Sequence, residues 1–205
     1  MSRRASAGFE RLKAALIAGA FALQGCPLSD DYYIDEDMAG GSGGAIATGG
    51  SSTGGKTTAP PDCREESFEM KKYLFCTADR PYPMAETTCA NAGMTLVLID
   101  DENEDEWVWT TLDRRYGGVQ PFAFIGANDR EQEGEWFFAD GVQFWSGAED
   151  GERVGERYVQ WGPGQPNDLS PVTLTQEDCG SITLADGTWN DARCELACPF
   201  VCEAK

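Results

Sequence analysis

Residues 177–203 read EDCGSITLADGTWNDARCELACPFVCE, and this stretch decides the fold. Glu177 and Asp178 run straight into Cys179, and Trp189 runs straight into Asn190 and Asp191. Three further cysteines, Cys194, Cys198 and Cys202, follow at spacings of four and four. Just upstream, Gly164-Gln165-Pro166-Asn167-Asp168 adds two amides and another carboxylate. Side-chain oxygens at this density suit a hard divalent cation, because calcium takes about six to eight oxygen ligands from carboxylates, amide carbonyls and backbone.

Working outward, the composition narrows what such a block can do. The chain has 205 residues, with 35 acidic against 16 basic side chains and a formal charge of −19. That length holds one well-buried domain plus accessory segments. The acidity repels nucleic acid and suits cations, so no nucleic-acid partner is expected. There is no histidine. Imidazole zinc sites, Ser-His-Asp triads and Cys-His nucleophile pairs are thereby excluded. Eight cysteines, none in a CxxC pair, point to disulfides in an oxidising compartment.

The N-terminal quarter reads as address and tether. In residues 1–25, Arg3, Arg4, Arg11 and Lys13 flank or precede the apolar run AALIAGAFAL from Ala14 to Leu23. This is an export-signal pattern, and the run falls well short of the roughly 20 residues that a membrane-spanning helix needs. Leu23-Gln24-Gly25-Cys26 resembles the bacterial lipobox, which implies a lipidated Cys26 and an anchor at the bacterial cell envelope. Residues 26–62 carry an acidic cluster (Asp30, Asp31, Asp35, Glu36, Asp37) and then a Gly/Ser/Thr/Ala run. That composition cannot bury apolar surface and reads as a flexible tether. Residues 63–205 are the folded domain.

Within that domain the patterning predicts α+β architecture. Strands are expected over 70–76, 122–126, 135–138, 143–145, 180–184 and 200–202, and a short buried run over 95–99. A helix is expected over 84–92, stopped by Gly93. A second spans 100–116, its first turn filled with acids where the helix dipole favours them. The acidic run Asp100 to Glu106 reads as a solvated helix start. Between the later strands lie long irregular loops, and ion binding is one way to give them order.

Several pieces resemble, in order, the C-type-lectin-like domain. Phe124-Ile125-Gly126-Ala127 looks like that family's WIGL strand, and Glu133-Gly134-Glu135-Trp136 like the segment after it. Gln165-Pro166-Asn167 sits where the family has Glu-Pro-Asn or Gln-Pro-Asp. Glu177-Asp178-Cys179, Trp189-Asn190-Asp191 and the closing Cys194 to Cys202-Glu203 complete the series. The resemblance implies a fold with two helices, small antiparallel sheets and a long calcium-binding loop region, stapled by Cys89–Cys202 and Cys179–Cys194. For the remaining cysteines two pairings stay open. The family's long form joins Cys63 to Cys76. Adjacent antiparallel first and last strands instead bring Cys76 towards Cys198, and this second pairing is the one favoured here.

The resemblance also implies two calcium ions. A ligand-facing ion would take Gln165, Asn167, Glu177, Asn190 and Asp191, with a cis proline turning the carbonyls of Gln165 and Asn167 towards it. An auxiliary ion would take Asp129, Glu133, Asp168 and Asp178, sharing Glu177. Sugar hydroxyls would meet Gln165, Asn167, Glu177 and Asn190, and Trp161 would offer an aromatic face. Family members place one carboxylate and one amide around the proline. Here both are amides, which removes a charge and predicts weaker calcium binding and an open sugar preference. The implied function is calcium-dependent carbohydrate binding by a cell-surface, lipid-anchored, monomeric domain in adhesion or recognition, and not catalysis. The alternative is a module for a protein or other non-sugar ligand, with calcium structural or absent.

Overall fold

The computed structural model describes residue 26 and residues 59–116, 119–168 and 176–205. The expected export signal (1–25) and most of the expected tether (26–62) lie outside the described residues. The folded part opens on a hairpin. Strand β1 (Cys63–Phe68) pairs antiparallel with β2 (Lys71–Arg80), with Cys63 opposite Cys76. The apolar block Tyr73 to Cys76 makes β2 a buried strand. Helix α1 (Tyr82–Asn91) follows directly, capped by Pro81, which can open a helix because its missing N–H has no role there.

A short β3 (Met94–Leu96) leads to α2 (Glu102–Tyr116). Asp101 Oδ1 caps α2 by accepting from the N–H groups of Asn103 (2.8 Å) and Glu104 (3.0 Å). Strand β4 (Phe122–Asn128) then enters the centre, followed by β5 (Glu135–Phe138), β6 (Gln143–Ser146) and β7 (Glu152–Arg153) as a meander. A second hairpin, β8 (Cys179–Thr183) and β9 (Trp189–Ala192), leans on β4 through β8. The last strand, β10 (Cys198–Ala204), returns between β2 and β4.

The pairing is mostly antiparallel, as expected. The strands join into one hydrogen-bonded network in the order β1-β2-β10-β4-β5-β6-β7, and the β10–β4 contact, Phe200 against Phe124, is parallel. A one-residue parallel bridge between distant segments leaves no local periodicity to read. Gly126 makes the central crossing possible. Its N–H donates to Val97 O at 2.7 Å, and a Cβ there would lie 2.7 Å from Leu96 O. The main core lies between the sheet and α2, with Val108, Leu112, Ile125, Trp136, Phe138, Phe144, Trp189 and Val201 all buried.

Four disulfides staple the fold. Cys89 bonds Cys202, tying α1 to β10 across 113 residues, and Cys179 bonds Cys194. Each native bridge of this kind contributes about 2–4 kcal/mol. The favoured Cys76–Cys198 pairing is not what forms. Cys76 bonds Cys63, its direct neighbour across the β1–β2 ladder at a Cα separation of 3.9 Å. In the β2–β10 register Cys198 stands opposite Arg80, while Cys76 faces Phe200. Cys198 bonds Cys26 instead. Cys26 is buried.

Candidate calcium and ligand site

The β8–β9 hairpin forms the floor of the site. Its register sets Gly180 opposite Asp191 and Ser181 opposite Asn190, and Ser181 Oγ donates to Asn190 O at 2.9 Å. Alternation along β9 buries Trp189 and Asp191 and leaves Asn190 half-buried between them. Asp191 Oδ2 accepts from the backbone N–H of Asn167 at 2.7 Å and of Asp168 at 2.6 Å. One buried carboxylate thus holds the Gln165–Asp168 loop over the hairpin. The Gln165–Pro166 bond is cis. Asn167 Nδ2 donates to Gly164 O, and Asn190 Nδ2 to Asp191 O.

Asp168 joins this set to the second one. Its φ is 50°, a left-handed conformation that Asp tolerates better than most residues, and its Oδ1 accepts from Glu177 N at 2.8 Å. The carboxylate oxygens of Glu133, Asp168 and Asp178 lie within 4.8 Å of one another. Asp129 lies just past the end of β4. Its N–H donates to Asp178 O at 3.2 Å, and its Oδ2 accepts from Gly134 N at 2.8 Å. Gln176 Nε2 donates to Glu133 Oε2 at 3.2 Å. The structure therefore brings Asp129, Glu133, Asp168 and Asp178 into one cluster, which Glu177 joins through its N–H on Asp168 and Asp191 joins through the backbone of Asn167 and Asp168.

The electrostatics are those of a site short of positive charge. Burial pushes Asp129 up to about 7, with Gly134 N–H opposing and the carboxylates of Glu133 and Asp178 adding repulsion. Burial pushes Glu177 up to about 7, with repulsion from Asp191 and Asp168 and partial relief from Arg193. Asp191, Asp178 and Glu133 are raised too, burial leading each time. Among the described residues, five buried side-chain oxygens have no hydrogen-bond partner: Asp129 Oδ1, Gln165 Oε1, Asp178 Oδ1, Asp191 Oδ1 and Glu203 Oε2. Four of the five belong to the two expected ligand sets. Buried oxygens normally find partners, and leaving them without one costs about 1–3 kcal/mol apiece. A hard cation fits this donor set, because it supplies the missing partner and removes the carboxylate repulsion together.

Two sequence expectations gain detail here. Trp161 packs its ring among Trp136, Phe144 and Trp189, with centroids at 4.8, 6.1 and 6.0 Å. Trp161 is half-buried, so part of its aromatic surface serves the core. The acidic run at the start of α2 is not wholly solvated either. Glu104 and Asp105 are buried, and Asp105 Oδ1 accepts from Trp189 Nε1 at 2.8 Å. Sequence reasoning passed over Asp105, although it stands three residues before buried Val108 and seven before buried Leu112 on one helical face.

The family model for the lectin C-type domain matches residues 78–204. The chain belongs to the C-type lectin domain family. Among curated proteins, human collectin-10 is 31% identical over 66% of this chain and 42% of its own length. The galactose-specific lectin nattectin of Thalassophryne nattereri is 28% identical over 63% of this chain and 71% of its own length. The chain thus spans about half the length of several curated relatives, collectin-10 included. Among solved structures, the mouse scavenger receptor C-type lectin carbohydrate-recognition domain superposes with a TM-score of 0.54 at 28% identity, covering 71% of this chain and 95% of that one. The C-type lectin fold, with its two helices, mixed sheet and disulfides, is the fold described above.

Proposed function

We propose that this C-type lectin domain binds carbohydrate through calcium held at Gln165, Asn167, Glu177, Asn190 and Asp191, with an auxiliary ion at Asp129, Glu133, Asp168 and Asp178. The observation that carries the reading is the set of four unpartnered buried oxygens, Asp129 Oδ1, Gln165 Oε1, Asp178 Oδ1 and Asp191 Oδ1, all on residues of the two ligand sets. Names among its relatives support the ligand class: nattectin is described as galactose-specific, and the mouse receptor domain as carbohydrate-recognising. Bound calcium supplies a Lewis-acidic point to which vicinal sugar hydroxyls bind.

The chain's own residues supply direction. The Glu177 carboxylate accepts from a sugar hydroxyl, and the amides of Gln165, Asn167 and Asn190 donate through NH₂. Asp191 holds the Asn167–Asp168 backbone with two N–H bonds and so places the loop that carries Gln165 and Asn167. With amides on both sides of Pro166, the site has one carboxylate fewer than a mixed acid–amide pair would give. That sets a weaker affinity for the ion. The domain works in an oxidising, extracytoplasmic setting, where four disulfides persist, as a module for adhesion or recognition.

Retention on immobilised polysaccharides in calcium, followed by elution with EDTA, tests the reading. Retention that EDTA leaves untouched refutes it. The second reading, a protein or other non-sugar ligand with calcium purely structural, draws on the doubly amidic Gln165–Asn167 pair. It expects a calcium-dependent melting temperature and no EDTA-eluted sugar binding.

A further inference from the structure

Both halves of the ligand-facing set hang from Trp189. Its backbone pairs with Ile182 in β8, and the two residues that follow it are Asn190 and Asp191. On its other side, Trp189 N donates to Gln160 O at 2.7 Å and Trp189 O accepts from Gly162 N at 2.8 Å. Gly162 O in turn accepts from Gln165 N at 3.0 Å. A shift of Trp189 therefore moves Asn190 and Asp191 directly, and moves Gln165 and Asn167 through the 160–162 segment.

The backbone of Trp189 is held by hydrogen bonds, but its ring is held by packing and one polar contact. Phe138, Phe144, Tyr158 and Trp161 meet the ring edge-to-face at centroid distances of 6.0, 6.0, 5.8 and 6.0 Å. These contacts bury the ring and add about 0.5–1.5 kcal/mol each beyond burial, but none of them bonds its N–H. The polar contact is the bond from Trp189 Nε1 to Asp105 Oδ1, 2.8 Å, between side chains 84 residues apart and both buried. Asp105 belongs to neither ion set, and its carboxylate sits in the first turn of α2, where the helix dipole favours a negative charge.

We propose that Asp105 is a positioning residue for the calcium and ligand site. By fixing the Trp189 indole from α2, it sets the placement of Asn190 and Asp191 on one side and of the Gly162–Asn167 loop on the other. This rests on the calcium reading above. It makes α2, whose residues contribute none of the ion ligands, part of what determines affinity at that site.

The test is calcium titration by calorimetry on the full chain, with melting in EDTA measured beside it. Asp105→Leu removes the acceptor and weakens calcium binding about tenfold, the lower end of what loss of a supporting partner costs a metal site. Asp105→Asn keeps an acceptor oxygen and restores wild-type affinity. Val108→Ala, buried one turn further along the same face, lowers the melting temperature and leaves calcium affinity unchanged. Trp189→Phe removes the donor and keeps an aromatic ring, so it weakens binding as Asp105→Leu does and decides the matter if Asp105→Leu does not fold. Wild-type affinity in Asp105→Leu, or in Trp189→Phe, overturns the proposal. So does an equal loss in Val108→Ala, which would assign the effect to general destabilisation. A wild-type chain that binds no calcium overturns the calcium reading and this inference together, whereas wild-type binding with an indifferent Asp105→Leu overturns this inference alone.

Discussion

Without calcium, the domain becomes more stable as the pH falls from about 8 to about 5.5, against the usual expectation that acid destabilises. Asp129 carries the clearest sign. It is 4% exposed, and burial together with the neighbouring carboxylates pushes it from 3.8 up to about 7. Between those two values the folded state holds a proton that the unfolded chain has released. Stability from this group is therefore lost as pH rises through the folded value and is fully present below the unfolded one. Over the roughly 1.5 pH units from 7 down to 5.5, at about 1.4 kcal/mol per unit, Asp129 alone contributes about 2 kcal/mol. For a domain of this size that is a rise of roughly 4–8 °C in Tm.

Glu177 and Glu203, raised to about 7, and Asp105, raised to about 6, push the same way. The assay is scanning calorimetry in EDTA at the two pH values, on the wild type and on Asp129→Asn, which keeps the shape and loses the titration. The rise shrinks in the variant. With saturating calcium the sign reverses, because protons now compete with the ion for the same carboxylates. A melting temperature that is flat or falls on acidification in EDTA, or a rise that Asp129→Asn leaves intact, refutes the reasoning.

Other outcomes follow from the same structure. At a calcium concentration about a hundred times its Kd, the ion adds about 2.7 kcal/mol of stability at neutral pH, read as a shift in the urea midpoint. Gly126→Ala costs about 3 kcal/mol, also read by urea unfolding, since its Cβ would press on the backbone oxygens of Leu96 and Val97. Peptide mapping without reduction yields Cys63–Cys76 and Cys26–Cys198 as linked pairs, and recovery of a Cys76–Cys198 peptide would contradict the register of β2 against β10.

Much of the fold is legible in the sequence where the signal is local. Helix α2 announces itself through an Asp cap, a charged first turn and the buried spacing of Val108 and Leu112. Strand β2 announces itself through the apolar block Tyr73 to Cys76. Strand β1 does not, because CREESF alternates charge without an apolar face and takes its order from β2 and the Cys63–Cys76 bridge. The Cys26–Cys198 bridge spans 172 residues, and no spacing rule reaches that far. At the site, the order Gln165, Asn167, Glu177, Asn190, Asp191 names the donors, but which oxygens are buried without partners depends on how the loop lies over β9. Asp105 was hidden by its neighbours: in a run of six acids and an asparagine, one buried carboxylate looks like the exposed ones until its Trp189 partner is seen across the fold.

The central claim is that this C-type lectin domain recognises sugar through calcium, and a glycan array probed in calcium and again in EDTA tests it most directly. The account predicts glycan signals that EDTA erases and that Asn190→Ala, folded to the same melting temperature in EDTA, fails to give. Calcium binding by the wild type without any calcium-dependent glycan signal would contradict it.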